Sequence, residues 1–261
     1  MLIDFHTHYF PDKIARESCD KLAHAAGVPY YGDGTLAGLV KFMREDGVDI
    51  SVNAPVATRP EQVQGINRKM IEFNKAGGPV ICLGAMHPGF AGYKEELALL
   101  KANGVRGIKM HPEYQQFCPG DRTMFGLYEA CAENDIFVLF HSGVDIGYSS
   151  VHCTPESVKK LSGFGGLTVV LAHMGAYRLW DEVEKQLVGE NFYFDIAYCG
   201  EMDDGQLKRM ITNHGSDKVL FATDFPWERA SVIKKKVEGL GLPREDLDNI
   251  YFKNASKLLK I

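Results

Sequence analysis

Short runs of β-branched and aromatic residues alternate along the chain with longer stretches whose apolar residues recur at three and four. The first pattern marks strands buried on both faces, the second helices that pack by one face. Strands are predicted over Leu2–His6, Asp49–Asn53, Pro79–Met86, Val105–His111, Ile136–His141, Leu167–His173, Asn191–Ala197 and Lys218–Asp224. Helices fall between them, for example over Pro60–Lys75, Tyr93–Ala102, Arg122–Asn134 and Pro155–Leu161. Eight strand–helix units in strict alternation predict a parallel sheet closed into a single (β/α)8 TIM barrel, one α/β domain over residues 1–261. Only the first unit is long. Its extra residues, Tyr9–Gly34, predict an inserted helical segment near Ile14–Ala26 and a Gly-rich turn at Tyr31–Gly34, either a lid over the barrel mouth or a helix packed on its rim.

Strands buried on both faces should stay apolar to their ends, and several here do not. The first closes on Asp4-Phe5-His6-Thr7-His8, the fifth on His141, the sixth on His173 and the eighth on Asp224. These are carboxyl ends, the face on which barrel enzymes build their sites. One such histidine is ordinarily a hydrogen-bonded core residue. Several strand ends converging on one axial region carry a desolvation cost that a shared partner would offset, and a divalent cation is the simplest such partner. Residues two apart on an extended strand share a face, so His6 and His8 can grip one ion. With His141, His173 and Asp224 they form a nitrogen-rich donor set suited to Zn2+ rather than Mg2+ or Ca2+, with Mn2+, Fe2+ and Co2+ as further candidates.

Composition narrows the setting. Lys and Arg number 29 against 34 Asp and Glu in 261 residues, a net charge of −5, the wrong sign for a nucleic-acid surface. No apolar stretch approaches the roughly 20 residues of a membrane-spanning helix. The six cysteines form no C-x-x-C pair and the chain opens without a signal-like segment, so reduced thiols in a cytoplasm are expected. The expected partner is a small-molecule substrate, with no nucleic acid and no membrane, and a homodimer is compatible with the fold. No Gly-x-Gly-x-x-Gly or Walker loop calls for a nucleotide. Ser142 and Cys118 lack the context of an activated nucleophile. His24 and His214 read as structural, His214 as a cation favoured at a helix C-terminus. His87 and His152 follow strands and can line the mouth, as can Tyr198 and Trp227, although packing in the core is the simpler role for Trp227.

The strings Asp4-Phe5-His6-Thr7-His8, Gly107-Ile108-Lys109-Met110-His111-Pro112, Phe140-His141-Ser142-Gly143, Ala172-His173-Met174-Gly175, Ala222-Thr223-Asp224-Phe225-Pro226-Trp227 and Asn254-Ala255-x-x-Leu258 together resemble the amidohydrolase superfamily. The likeness is greatest to the amidohydrolase-related branch that includes aminocarboxymuconate-semialdehyde decarboxylase, other decarboxylases, hydratases and lactone hydrolases. It spans nearly the whole chain and implies a metal-dependent enzyme on a TIM barrel. Carried over by position, it implies that His6, His8, His141 and Asp224 hold a catalytic metal and that His173 stands beside it as an acid, base or polarising group. In other branches the same histidine binds a second ion.

Lys109 has three readings: a carboxylated lysine bridging two ions with His173, an ammonium that binds a substrate carboxylate, or a structural group. His111 shares its strand face and is expected to touch substrate. The chemistry expected is hydrolysis of a lactone, amide or ester of a small, carboxylate-bearing substrate by a metal-activated water, with Asp224 and His173 as catalytic residues. The alternative is metal-dependent, non-oxidative decarboxylation of a small aromatic or dienoic acid, disfavoured because the chain is shorter than the usual decarboxylases of that branch. A non-catalytic ligand-binding barrel is the third reading, disfavoured because a structural metal site would be coordinatively closed.

Overall fold

A computed structural model describes residues 1–261. Strands form where the β-branched runs lie: β1 (Ile3–Thr7), β2 (Ile50–Asn53), β3 (Val80–Cys82), β4 (Gly84–Ala85), β5 (Gly107–Met110), β6 (Phe137–Phe140), β7 (Val169–Leu171), β8 (Tyr193–Asp195) and β9 (Val219–Leu220). Every pairing is parallel, in the orders β1-β2-β3 and β4-β5-β6-β7-β8-β9. The predicted third strand is one barrel strand in two pieces. Up to Leu83 it bonds to β2, with Leu83 N–H donating to Asn53 O at 2.9 Å, and beyond it to β5, with Met86 N–H reaching Lys109 O at 3.4 Å.

The other seam is closed by Phe5 N–H to Phe221 O (2.9 Å), Asp224 N–H to His6 O (2.8 Å) and His8 N–H to Phe225 O (2.7 Å). Asp4 reinforces it, accepting from Thr223 N (3.0 Å) and Thr223 Oγ1 (2.7 Å). The cylinder is therefore a (β/α)8 barrel. Helices return the chain between strands; the first unit carries two, α1 (Ala15–Ala26) and α2 (Leu36–Asp46), and the second and third carry α3 (Val63–Ala76) and α4 (Tyr93–Ala102). Thr35 caps α2 through Gly38 N–H (3.0 Å), and Gly47 ends it at φ 72°, a left-handed conformation that costs glycine nothing. No helix is long and apolar enough to cross a membrane.

Buried apolar residues divide into two shells. Ile108, Met110, Val138, Phe140, Val169 and Leu171 belong to the larger cluster, which includes the buried residues of the surrounding helices, while Ile3, Phe5, Phe137, Leu139, Val170, Ala172, Leu220 and Ala222 form the smaller one inside the barrel. Alternation along each strand decides which shell a residue joins. The same parity carries Lys109, His141 and Asp224 inward, but it would turn His6 outward with Asp4. Between Asp4 and Thr7 the register slips, Asp4 facing Ser51 and Thr7 facing Asn53, so β1 holds one residue more than β2. That irregularity brings the His6 ring to the inward carboxylate of Asp195. His173 changes direction by another means, a left-handed φ of 60°.

Candidate metal centre

His6 is held by groups from three strands. Its Nδ1 lies 2.9 Å from Asp195 Oδ2 on β8, and its Nε2 lies 2.9 Å from Lys109 Nζ on β5 and 3.5 Å from Asp224 Oδ1. His8 Nε2 is 3.0 Å from the same Asp224 oxygen. One ligand atom from each of His6, His8 and Asp224 lies within 4.8 Å of the others. Ions of this class bind at about 2.0–2.2 Å, which places any two of their ligands within about 4.4 Å, so the three groups are close to the spacing one ion needs.

His141 stands beside two further groups. Its ligand atom lies within 4.8 Å of those of His111 and Asp145, a residue of the loop after β6. Of the quartet expected from the sequence, His6, His8 and Asp224 stand together, and His141 is joined to them through His173, whose Nε2 lies 3.1 Å from His141 Nδ1 and whose ring centroid is 5.7 Å from that of His6; Asp145 was not singled out by the sequence reading. The His111 and His141 rings are stacked (centroids 4.2 Å apart, planes at 6°), and Tyr114 stacks on the other face of His111 (3.6 Å, 9°).

Hydrogen bonds assign the ring protons. His173 Nδ1 is 2.9 Å from Ala197 O, which can only accept, so Nδ1 donates and Nε2 accepts from His141 Nδ1 at 3.1 Å. The lone pair of His141 is left on Nε2, a buried atom with no hydrogen-bond partner. A bare imidazole nitrogen in a dry site is a metal ligand in waiting, and this atom shows that the residues fit a divalent ion. Burial, aided by neighbouring positive charge, holds His6, His111 and His141 well below the usual histidine range, so all three are neutral donors. At Asp224 burial opposes ionisation, but His6 and His8 outweigh it and bring the carboxyl down to about 2. Asp224 also has φ 66°, a strained conformation at a functional group.

Lys109 is buried at 1% exposure, and burial lowers its ammonium to about 8 against the pull of Asp224 and Asp195. Asp195 escaped the sequence reading. Besides His6 it accepts from the backbone of His173 (2.9 Å) and Ala197 (3.0 Å), and its only signal was a carboxylate closing an otherwise apolar strand. Glu113 was missed too. Fully buried, it accepts from Ser150 Oγ (2.9 Å) and pairs with His152 Nδ1 (2.7 Å), so His152 braces the loop after β6.

The remaining candidates make other contacts. His24 is on α1, and His87 Nδ1 accepts from Gly89 N at 3.0 Å. His214 is not the cation expected at its helix end: it donates to Phe192 O (2.9 Å), accepts from Gly189 N (3.1 Å), and burial lowers its pKa. Trp227, expected in the core, is only partly buried and meets Tyr30 edge-on with ring centroids 6.2 Å apart.

No curated protein sequence matches this chain. Solved structures share its fold at low identity. The 5-carboxyvanillate decarboxylase of Sphingomonas paucimobilis superposes with a TM-score of 0.77 at 14% identity, covering 100% of this chain and 99% of that one. The 5-carboxyvanillate decarboxylase of Novosphingobium aromaticivorans, in complex with manganese and a nitrobenzoic acid, gives 0.73 at 14%, covering 100% and 96%. A probable 2-pyrone-4,6-dicarboxylic acid hydrolase of Acinetobacter baumannii gives 0.70 at 12%, covering 100% and 99%. A family model described as Amidohydrolase matches residues 3–261. Because that match takes in the entire barrel and every group at its mouth, the chain belongs to the amidohydrolase family of metal-dependent enzymes.

Proposed function

We propose that this enzyme is a hydrolase of a small lactone, amide or ester, with a divalent ion held by His6, His8, His141 and Asp224 and with Asp224 as the base. The observation that carries the reading is the placement of Asp224, an ionised carboxylate whose Oδ1 stands 3.0 Å from His8 Nε2 and 3.5 Å from His6 Nε2. At neutral pH it is a proton acceptor. Hydrolysis needs an acceptor for the proton of the attacking water, whereas decarboxylation needs an acid to protonate the carbon that loses CO2.

Three imidazoles and a carboxylate suit Zn2+, and Mn2+ is the alternative such donors accept. An ion bound there polarises a carbonyl and lowers the pKa of water from about 15.7 to roughly 7. Asp224 Oδ1 faces His6 and His8, which leaves Oδ2 to take the proton from water and return it to the leaving group. Both ring nitrogens of His173 are engaged by Ala197 and His141, so it acts as a positioning residue for His141. Lys109 Nζ and the ion compete for one lone pair on His6 Nε2. With the ion bound, the Lys109 N–H groups are free to meet an oxygen of the substrate, a carboxylate included.

The test is an assay of chelator-stripped and metal-reconstituted protein against lactones, amides, esters, and aromatic or dienoic acids. Metal-dependent ring opening or acyl cleavage supports the reading. Release of CO2 without cleavage overturns it in favour of decarboxylation.

A further inference from the structure

Three successive strand ends each set a left-handed, non-glycine residue at the barrel mouth: His173 after β7 (φ 60°), Tyr198 after β8 (φ 52°) and Asp224 after β9 (φ 66°). Such a φ is costly for any residue but glycine or asparagine, and residues held there cluster at active sites. His173 and Asp224 already have roles, and Tyr198 has none. We infer that Tyr198 is a further catalytic residue whose phenol donates a hydrogen bond to the leaving-group oxygen of the substrate, an inference that rests on the hydrolase reading.

The backbone fixes where the ring starts. Tyr198 N–H donates to Thr223 O (3.2 Å), the carbonyl just before Asp224. Its neighbour Ala197 accepts from His173 Nδ1 (2.9 Å) and donates to Asp195 Oδ1 (3.0 Å). Tyr198 is thus clamped between the strand ends that carry His173 and Asp224. Its ring packs on Tyr177 (centroids 5.7 Å apart, planes at 53°), and Tyr177 packs in turn on His173 (5.9 Å, 66°). The Tyr177 hydroxyl is held by Glu201, whereas that of the half-buried Tyr198 has no hydrogen-bond partner in the chain. Burial pushes the Tyr198 phenol up, and of the charges around it Asp224 adds most, ahead of Glu228 and Glu201, so hydroxyl and carboxylate face one space. The phenol is therefore a protonated, unengaged donor at neutral pH.

Breaking the acyl–oxygen bond sends its electron pair to the leaving oxygen. That oxygen takes the proton that Asp224 removed from water, and Tyr198 keeps its own proton throughout. The phenol stabilises charge as it develops, at an oxygen held beside Asp224 for protonation. Such a donor counts in proportion to the charge the leaving oxygen gathers. It matters greatly for a poor leaving group and little for one that spreads negative charge into its own ring.

The test is Tyr198→Phe, which keeps the ring and removes the hydroxyl, in metal-reconstituted full-length protein acting on phenyl acetate and p-nitrophenyl acetate. Thermal melting and metal content verify that the variant is folded and loaded as the wild type is. With phenyl acetate kcat is expected to fall by about 100-fold at little change in KM, and with p-nitrophenyl acetate by far less. Tyr177→Phe, which removes the hydroxyl that Glu201 holds, is expected to leave the ratio of the two rates unchanged. An equal fall on both esters, or no fall on either, overturns the role of Tyr198 and leaves the hydrolase reading standing. A loaded wild type that cleaves neither ester also overturns that role, and the hydrolase reading is then decided by its own substrate panel.

Discussion

His6 Nδ1 and Asp195 Oδ2 lie 2.9 Å apart although 189 residues separate them in sequence. The carboxylate accepts a hydrogen bond from Nδ1–H, which leaves Nε2 as the ligand atom and makes it more basic. Such outer carboxylates are typically worth 10–100-fold in metal affinity. Asp195→Asn is therefore expected to weaken metal binding by about 10-fold or more, measured by competition with a chelator. Unchanged affinity would mean that the contact does not orient the ring.

Asp224 is the proposed base. General bases contribute about 10²–10⁴-fold to rate, so Asp224→Asn should lower turnover by at least about 100-fold while the protein still melts cooperatively. Turnover near that of the wild type would remove Asp224 from the mechanism.

Lys109 distinguishes two arrangements through the sign of one effect. As an ammonium beside the ion it repels the metal and competes for His6 Nε2, so Lys109→Met should bind Zn2+ more tightly, by about 10-fold for each 1.4 kcal/mol of repulsion relieved. A carboxylated lysine is itself a ligand, and its loss would weaken binding. Isothermal titration of the two proteins decides between them.

His214 supplies a pH test remote from the metal. Its pKa is lowered in the folded protein, so the neutral form is favoured there, and an unfolded histidine takes up its proton near about 6.5. The stability it contributes is complete above that value and is lost as pH falls below it towards the folded pKa. In urea unfolding, the advantage of wild type over His214→Gln should shrink as pH drops below about 6.5. An advantage that grows on acidification would instead signal a histidine stabilised as a cation.

The barrel was legible because each strand–helix unit announces itself locally, and the strand-end polar groups stood out against apolar runs. Two kinds of information were not local. Side-chain phase along β1 depends on a register slip between Asp4 and Thr7, which only pairing with β2 defines. The direction of His173 depends on a left-handed φ that a non-glycine residue does not advertise. The place of Asp145 beside His111 and His141 depends on how the loop after β6 folds back, braced by Glu113, a contact between segments 37 or more residues apart. Asp195 had a visible signal, a carboxylate closing an apolar strand, but nothing nearby in sequence to explain it. His214 is structural as read, but burial rather than the helix end decides its charge.

Catalysis by metal and water is most directly tested by turnover in water enriched in oxygen-18, with stripped and reconstituted enzyme acting on the best substrate of the panel. No turnover is expected after chelation, with recovery on addition of Zn2+ or Mn2+ and one solvent oxygen in each molecule of the carboxylic acid product. Turnover that survives chelation, or CO2 release with no solvent oxygen in the product, would contradict it.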